Sequence, residues 1–413
     1  MPNVTVAGAH GLVTVPFHSA YNAMLAQQLA DVITAGVNNS SIIPADNADG
    51  PPPAVSDGKT GEFVVSKSNI PTILPSTYSA LVVTAQTASV IDNAPTGQGV
   101  IAGEGNLTLM VASGSGSIFA GGGDNLISLL SSDTTGGGWT IYTDKGDDRI
   151  IAQNPGSDSI SAGLGNNNIQ LGSGQYYITT TGTDSILGGS GSETVQAAGN
   201  GSDLISGGAS DLFFVGAAGG ATIYGGSGSD TVFGGSGSTF AVGGTAGNNY
   251  MVAGTGLATL FGGGSGDQLY ASGSEAQLLA AAGGNETLNA GGSSGPVTLV
   301  AGSGTDQIST GIGADTVVGG AGTASINAAL GTDVFQFING QAGGTDVVTG
   351  IYSSQNVSIN LQNYGPGEVA SAVAGQTTTG SGISGTVTLT LSDNTQITFD
   401  GFSTKLTAGN FTT

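Results

Sequence analysis

The local context Gly-x-Asp-x-aliphatic recurs along this chain, as at Asp148, Asp158, Asp184, Asp203, Asp230, Asp306 and Asp315. Glu193 and Glu286 hold the same position elsewhere, Asp333 precedes Phe335 in the same way, and Asn125, Asn167 and Asn249 offer an amide in place of the carboxylate. Tyr176, Ala221, Ala258, Val297 and Ala324 abandon it. An oxygen-only donor set of this kind suits a hard divalent cation. The composition agrees, since 28 acidic residues against 5 basic ones leave a net charge of −23. Such a chain repels nucleic acid and anionic membrane and attracts multivalent cations, calcium foremost. There is no cysteine, so disulfides, thiol catalysis and cysteine-based metal sites are excluded.

The elements that position these acids follow from a period of nine. Between Val90 and about Phe335, glycine pairs, a small polar residue and a single aliphatic recur; the aliphatics include Ile91, Val100, Leu109, Ile118 and Ile127, then Ile141, Ile150, Ile160, Ile169, Ile178, Ile186, Val195, Ile205, Phe213, Ile223 and Val232, and later Ile308, Val317 and Ile326. Each unit is too short to bury its one apolar side chain alone, so coils must stack. The expected fold class is all-β, a parallel β-solenoid or β-roll of nonapeptide repeats with a small N-terminal strand–helix segment and a C-terminal β cap.

Complete units such as LGGSGSETV (187–195), YGGSGSDTV (224–232), VAGSGTDQI (300–308) and STGIGADTV (309–317) resemble the RTX nonapeptide GGxGxDxUx, U being a large aliphatic. The resemblance implies a β-roll with two nonapeptides per coil and calcium in the turns between coils, held by glycine carbonyls and by the aspartates. Acids that share an ion then come from units n and n+2. Asp184 with Asp203 and Asp315 with Asp333 meet that condition, and Asp148 with Asn167 is a third pair. The resemblance thus assigns metal ligation to Asp148, Asp158, Asn167, Asp184, Glu193, Asp203, Asp230, Asp306, Asp315 and Asp333. The competing reading is that Asn, Ser and Thr close the turns without metal, and it is the one favoured across residues 234–299.

Four segments are expected. Residues 1–50 hold alternating Val4, Val6, Leu12, Val13 and Val15, then a helix whose apolar set is Phe17, Tyr21, Met24, Leu25, Leu29, Val32 and Ile33, with Ser19 as N-cap and Gly36 as stop. This segment is expected to serve assembly, its strand adding to a neighbour's open edge. Residues 51–90 are a Pro/Gly linker and lead-in strands, residues 91–335 the solenoid, and residues 336–413 a β cap with a hairpin at Asp393-Asn394. Residues 331–351 and 391–411 resemble the uncleaved tails of type I secretion substrates, which fits an N-terminus without a basic, cleavable leader. That resemblance implies export through the type I machinery and folding outside the cell, where each calcium site at about ten to a hundred times its Kd adds about 1.4–2.7 kcal/mol.

Catalytic constellations are poor. The histidines, His10 and His18, both precede the repeats, the GxSxG match at Gly291–Gly295 is of a kind expected by chance in this composition, and only Lys145 and Arg149 are basic within the repeats. The reading is a non-enzymatic, secreted, self-assembling structural protein of a surface layer, filament or biofilm matrix, located outside the cell or on its surface. Its partners are copies of itself, with cell-surface or matrix polysaccharide as a further class, and neither nucleic acid nor membrane insertion. The alternative is an adhesin or ligand-binding rod for polysaccharide or ice, and after it a β-helix polysaccharide-active enzyme.

Overall fold

The structure is a computed structural model that describes residues 1–94, 97–130, 138–328 and 331–413. It forms two compact units, Met1–Ser210 and Asp211–Thr413. Both are parallel β-solenoids, and along the repeats of each the strands alternate between two sheets, so a coil is two repeats and a repeat strand pairs with the one two strands away.

In the first unit, sheet A carries Ile118, Ile141, Ile160, Ile178 and Val195 in register, and sheet B carries Ile127, Ile150, Ile169, Ile186 and Ile205. All are buried, so each coil contributes one aliphatic per sheet to a continuous stack. In the second unit the equivalent rows are Phe214, Val232, Met251, Leu269 and Leu288 in sheet C, and Ile223, Ala241, Leu260, Leu279 and Leu299 in sheet D. Two of the expected inward positions are corrected. Ile91 and Phe213 face outward at 39% and 40% exposure, and their neighbours Val90 and Phe214 fill the core. Cross-coil register decides this, since Val90 lies opposite Leu109 and Phe214 opposite Val232, and strand residues alternate faces.

Parallel coiling starts well before residue 91. Strand β1 (Asn3–Gly8) and strand β2 (Gly11–Pro16) form an antiparallel hairpin, helix α1 spans Ala20–Asn38, and strand β3 (Ile42–Asp46) already pairs parallel with β4 (Thr60–Val65). The Pro-rich stretch therefore connects two paired strands, and the Tyr78 hydroxyl donates to Pro53 O at 2.8 Å.

Strand β1 pairs antiparallel with β2 of its own chain. Val4, Val6, Val15 and Phe17 join Ala23, Ala26, Ala30 and Ile33 of α1 over Val64, Ala80, Val82, Ile101 and Phe119, the outer face of sheet A. The helix buries its small residues, while Tyr21, Met24 and Val32 are exposed. Alanines let the helix approach the sheet closely, which a row of large side chains would prevent. Gly36 is inside the helix and not its stop, because the Ile42 side chain occupies the space a Cβ would need (2.5 Å). Ser19 is the N-cap, accepting from Asn22 N. Glu62 shares this covered face with Val64 and Ala80, and both its carboxyl oxygens are buried without a hydrogen-bond partner. Burial pushes its pKa up to about 8, so it is held as the neutral acid.

The second unit closes by changing strand direction. Thr345–Thr349 continues the coil, Gln396–Asp400 lies parallel on it, and Thr386–Thr390 and Thr377–Thr379 follow antiparallel, flanked by helix α2 (Glu368–Gly375). The expected hairpin turn is present, with Asn394 at φ 69° and Asp393 Oδ1 accepting from Thr395 N. Residues 336–362 are coil rather than cap, since Val334–Ile338 pairs with Ser358–Gln362.

The N-terminal segment is fastened by Asp144, a buried carboxylate that accepts from His18 N at 2.6 Å and Ser19 N at 2.7 Å. Hydrogen bonds to a charged group are worth about 1.5–3 kcal/mol. Asp144→Ala should accelerate amide exchange in residues 17–25 and leave exchange in the second unit unchanged; unaltered protection of α1 would show that the apolar face alone holds it.

Candidate metal centre

Where a turn between sheets carries the Gly-x-Asp motif, it delivers the aspartate to the start of the next strand with the side chain buried. Tight turns need glycine here. Gly146 and Gly165 adopt φ of +130° and +132°, and a Cβ on Gly165 would lie 2.0 Å from Gly146 O.

The side chains form ladders along the coil direction. In the first unit, the turns that enter sheet B place Asn125, Asp148, Asn167, Asp184 and Asp203 one above another. Asp148 N donates to Asn167 Oδ1 (3.0 Å), Asn167 N to Asp184 Oδ1 (3.1 Å) and Asp184 N to Asp203 Oδ1 (3.1 Å). Asn125 and Asn167 add a second bond through their side-chain amides, to Asp148 Oδ1 and Asp184 Oδ1. In the turns that enter sheet A, Asp158 Oδ1 accepts from Trp139 N at 2.7 Å and from Asn154 Nδ2. Glu193 is buried there too, its Oε1 accepting from Gly189 N.

The second unit repeats the device. Leu212 N donates to Asp230 Oδ1, Asp230 N to Asn249 Oδ1, and Asn249 N to Asp267 Oδ1. Glu286 N donates to Asp306 Oδ1 and Ala324 N to Asp346 Oδ1. In the turns entering sheet D, Asp315 N donates to Asp333 Oδ1 at 3.3 Å, and Thr310 Oγ1 to Asp333 Oδ2 at 2.9 Å.

The pairs expected from sequence therefore do meet: Asp184 with Asp203, Asp315 with Asp333, and Asp148 with Asn167. What joins them is a backbone amide of one coil and a carboxylate or amide oxygen of the next. Two rungs were missed. Asp267 falls in residues 234–299, where the metal-free reading is favoured, and Asp346 lies beyond the expected end of the repeats. Both were visible as the aspartate two residues before an aliphatic, in Gly-Asp-Gln-Leu and Thr-Asp-Val-Val.

The rungs divide by what their second oxygen does. Asp267 Oδ2 accepts from Gly263 N and Gly264 N, Asp306 Oδ2 from Gly302 N, and Asp315 Oδ2 from Gly311 N, so these turns are closed by their own amides. Asp158 Oδ2 and Asp346 Oδ2 are buried and without a hydrogen-bond partner, and the second oxygens of Asp148, Asp184 and Asp230 lack a well-formed one. Burial raises the pKa of Asp184 and Asp230 to about 6 and of Asp346 to about 7, and it raises Asp148, Asp158, Asp203 and Asp333 as well. Glu286 is pushed up to about 8, first by burial and then by the adjoining Asp306 carboxyl. Among the described residues the ion pairs are His10–Asp49 and Lys145–Glu104, so no ladder acid is neutralised by a basic side chain.

A buried anion with an unused oxygen is what a cation would relieve, and this oxygen-only donor set fits calcium. Among the described residues no three acidic or imidazole side chains converge. An ion here would take Asp148, Asp158, Asp184, Asp230 or Asp346 as its charged ligand and complete its six to eight oxygens from the neighbouring rung and from backbone carbonyls.

The RTX calcium-binding nonapeptide repeat matches this chain in four copies, over residues 142–178, 213–240 and 298–334. The fold and turn chemistry thus define a β-solenoid, and over those residues the chain carries RTX calcium-binding nonapeptide repeats. The matched spans contain Asp148, Asp158, Asn167, Asp230, Asp306, Asp315 and Asp333. Asp184, Glu193 and Asp203 lie outside them, yet occupy the same ladders. No curated protein and no solved structure matches the chain. Proteins with RTX repeats are typically secreted, and their solenoid is typically a non-catalytic fold.

Two outcomes follow from the raised acids. A carboxyl whose folded pKa exceeds its unfolded one stabilises the fold below the unfolded value and loses that contribution as pH rises through the folded value. In chelator, the melting temperature should therefore fall between about pH 4 and pH 7, and millimolar calcium should reverse the trend; identical pH profiles with and without calcium would contradict the site. Asp184→Asn keeps the rung's acceptor and removes its charge. Calorimetry should show that variant more stable than the native chain in chelator and less responsive to calcium.

Proposed function

We propose that this chain is a secreted structural protein that folds on calcium outside the cell and associates with copies of itself in a surface layer, filament or biofilm matrix. The observation that carries the reading is the set of buried turn carboxylates with an unused oxygen. Without a cation they oppose coiling; with millimolar calcium they support it, which keeps the chain loose before export and sets it afterwards.

A structural role is supported by where the chemistry lies. The acids are spent on the turns, and among the described residues no cluster of catalytic type accompanies them. Trp139, the one tryptophan, is 1% exposed and part of the core, so it offers no sugar platform, which favours self-association over an adhesin. Ordinary strand addition is a poor route to assembly. Strand β3 carries Pro44, the first strand of sheet B (Thr72–Leu74) lies between Pro71 and Pro75, and the C-terminal coils are closed by the antiparallel hairpin.

Export is assigned to the C-terminal region through the type I route. Deleting residues 351–413 should leave the protein inside producing cells, and its normal appearance in the medium of intact cells would place the address elsewhere. Electron microscopy of the purified chain should show ordered assemblies in millimolar calcium that chelator disperses. Monomers under both conditions would refute the structural role.

A further inference from the structure

We infer that the outer face of sheet D in the second unit is the contact between copies of this chain. The inference rests on the self-association proposed above and names the surface that performs it. From Ala221–Tyr224 to Val334–Ile338, the outward positions of seven successive strands carry no charged residue. Tyr224, Phe240, Phe261, Leu278, Val300 and Val318 make this face apolar, with Tyr224 47% exposed and the others half-buried. The outer face of sheet A in the first unit is comparably apolar, and there α1 and the β1–β2 hairpin cover it. Among the described residues, sheet D has no such cover within its unit.

Three arguments select a second copy as the occupant. A chain of net charge −23 repels its copies in most orientations, and the penalty is least where two uncharged faces meet. The side chains recur once per coil, about every 4.8 Å, and a partner must have the same repeat for its ridges to enter these grooves along the whole face; another copy always has it. The rings are inclined by 61° between Tyr224 and Phe240 and by 58° between Phe240 and Phe261, so they present no common plane on which a sugar chain could stack. Sheet C is less suitable, because its aromatic row from Phe213 through Phe233 and Tyr250 ends at Tyr270 and is followed outward by Gln307, Ser309, Ser325 and Asn327.

Size sets the strength. Seven strands of about four residues cover about 400 Å² per copy, or about 800 Å² in a pair. That is below the roughly 1,200 Å² of a stable complex, so the contact is reversible and becomes effective when many copies associate.

The test introduces charge without removing packing. Thr259 and Thr298 are half-buried outward residues of this face, opposite Phe240 and Leu278 and opposite Leu278 and Thr316. The full chain carrying Thr259→Glu and Thr298→Glu is compared in millimolar calcium with a control carrying Gln307→Glu and Ser325→Glu on sheet C, using sedimentation, electron microscopy and calorimetry. The expected result is an unchanged melting temperature in both, wild-type assembly in the control, and on the order of a tenfold rise in the concentration needed to assemble in the sheet D variant. If that variant melts early, Phe261→Ser, which adds no charge, must raise the same concentration. Equal assembly of all forms overturns the surface while leaving self-association standing, as does equal impairment of the control. A wild-type chain that stays monomeric in calcium overturns both, and its retention on neutral polysaccharide would transfer the face to that ligand.

Discussion

The bond on which this structure depends joins a backbone N–H at the start of one coil to a side-chain oxygen from the next. Asp184 N to Asp203 Oδ1, and Asp230 N to Asn249 Oδ1, are examples. A strand of three or four residues leaves its first amide outside the regular ladder, and an unpaired buried amide is costly. The Gly-x-Asp turn supplies the missing acceptor. It also buries a carboxyl group at about half of these turns, and that residual cost is what links the fold to calcium.

Positions without a carboxylate show how the link is loosened locally. The Tyr176 hydroxyl accepts from Gly172 N and donates to Ala152 O, and Gln277 accepts from Ser272 N while donating to Gly254 O. Asp267 does the same with its second oxygen. These turns are satisfied by neutral or self-contained bonds, so a repeat can lose its metal character and remain a coil. Calcium dependence is therefore graded along the chain, strongest where Asp158 and Asp346 keep an unused oxygen and where the second oxygens of Asp148, Asp184 and Asp230 are only weakly held.

Charge, aliphatics and flat faces are segregated by the coil itself. Aliphatics point inward, acids occupy the turns, and the outward strand positions of sheet D are left to neutral residues, which separates the cation chemistry from the surface available for association. In the first unit one such face is covered by the chain's own α1 and β1–β2 hairpin. There Glu62, an acid beneath the cover, is held neutral by burial.

The nine-residue period was legible in the amino-acid order, and the two-repeat coil and the neighbouring acid pairs followed from the RTX resemblance that its motifs carry, because in a solenoid sequence spacing becomes spatial spacing directly. Val100, Ile118, Ile150 and Ile308 could be placed inside by counting alone. Counting failed at Ile91 and Phe213, where two apolar residues adjoin and only cross-coil register chooses between them. It failed also for α1, because whether Tyr21 or Ala23 faces the core depends on how close a sheet comes, which the helix's own sequence does not contain. Tertiary structure alone decided that β1 pairs at home and that coiling begins at Ile42. It decided as well which carboxylates keep an unused oxygen, since that depends on whether a glycine amide of the same turn reaches them, a matter of backbone angles that Gly-x-Asp leaves open.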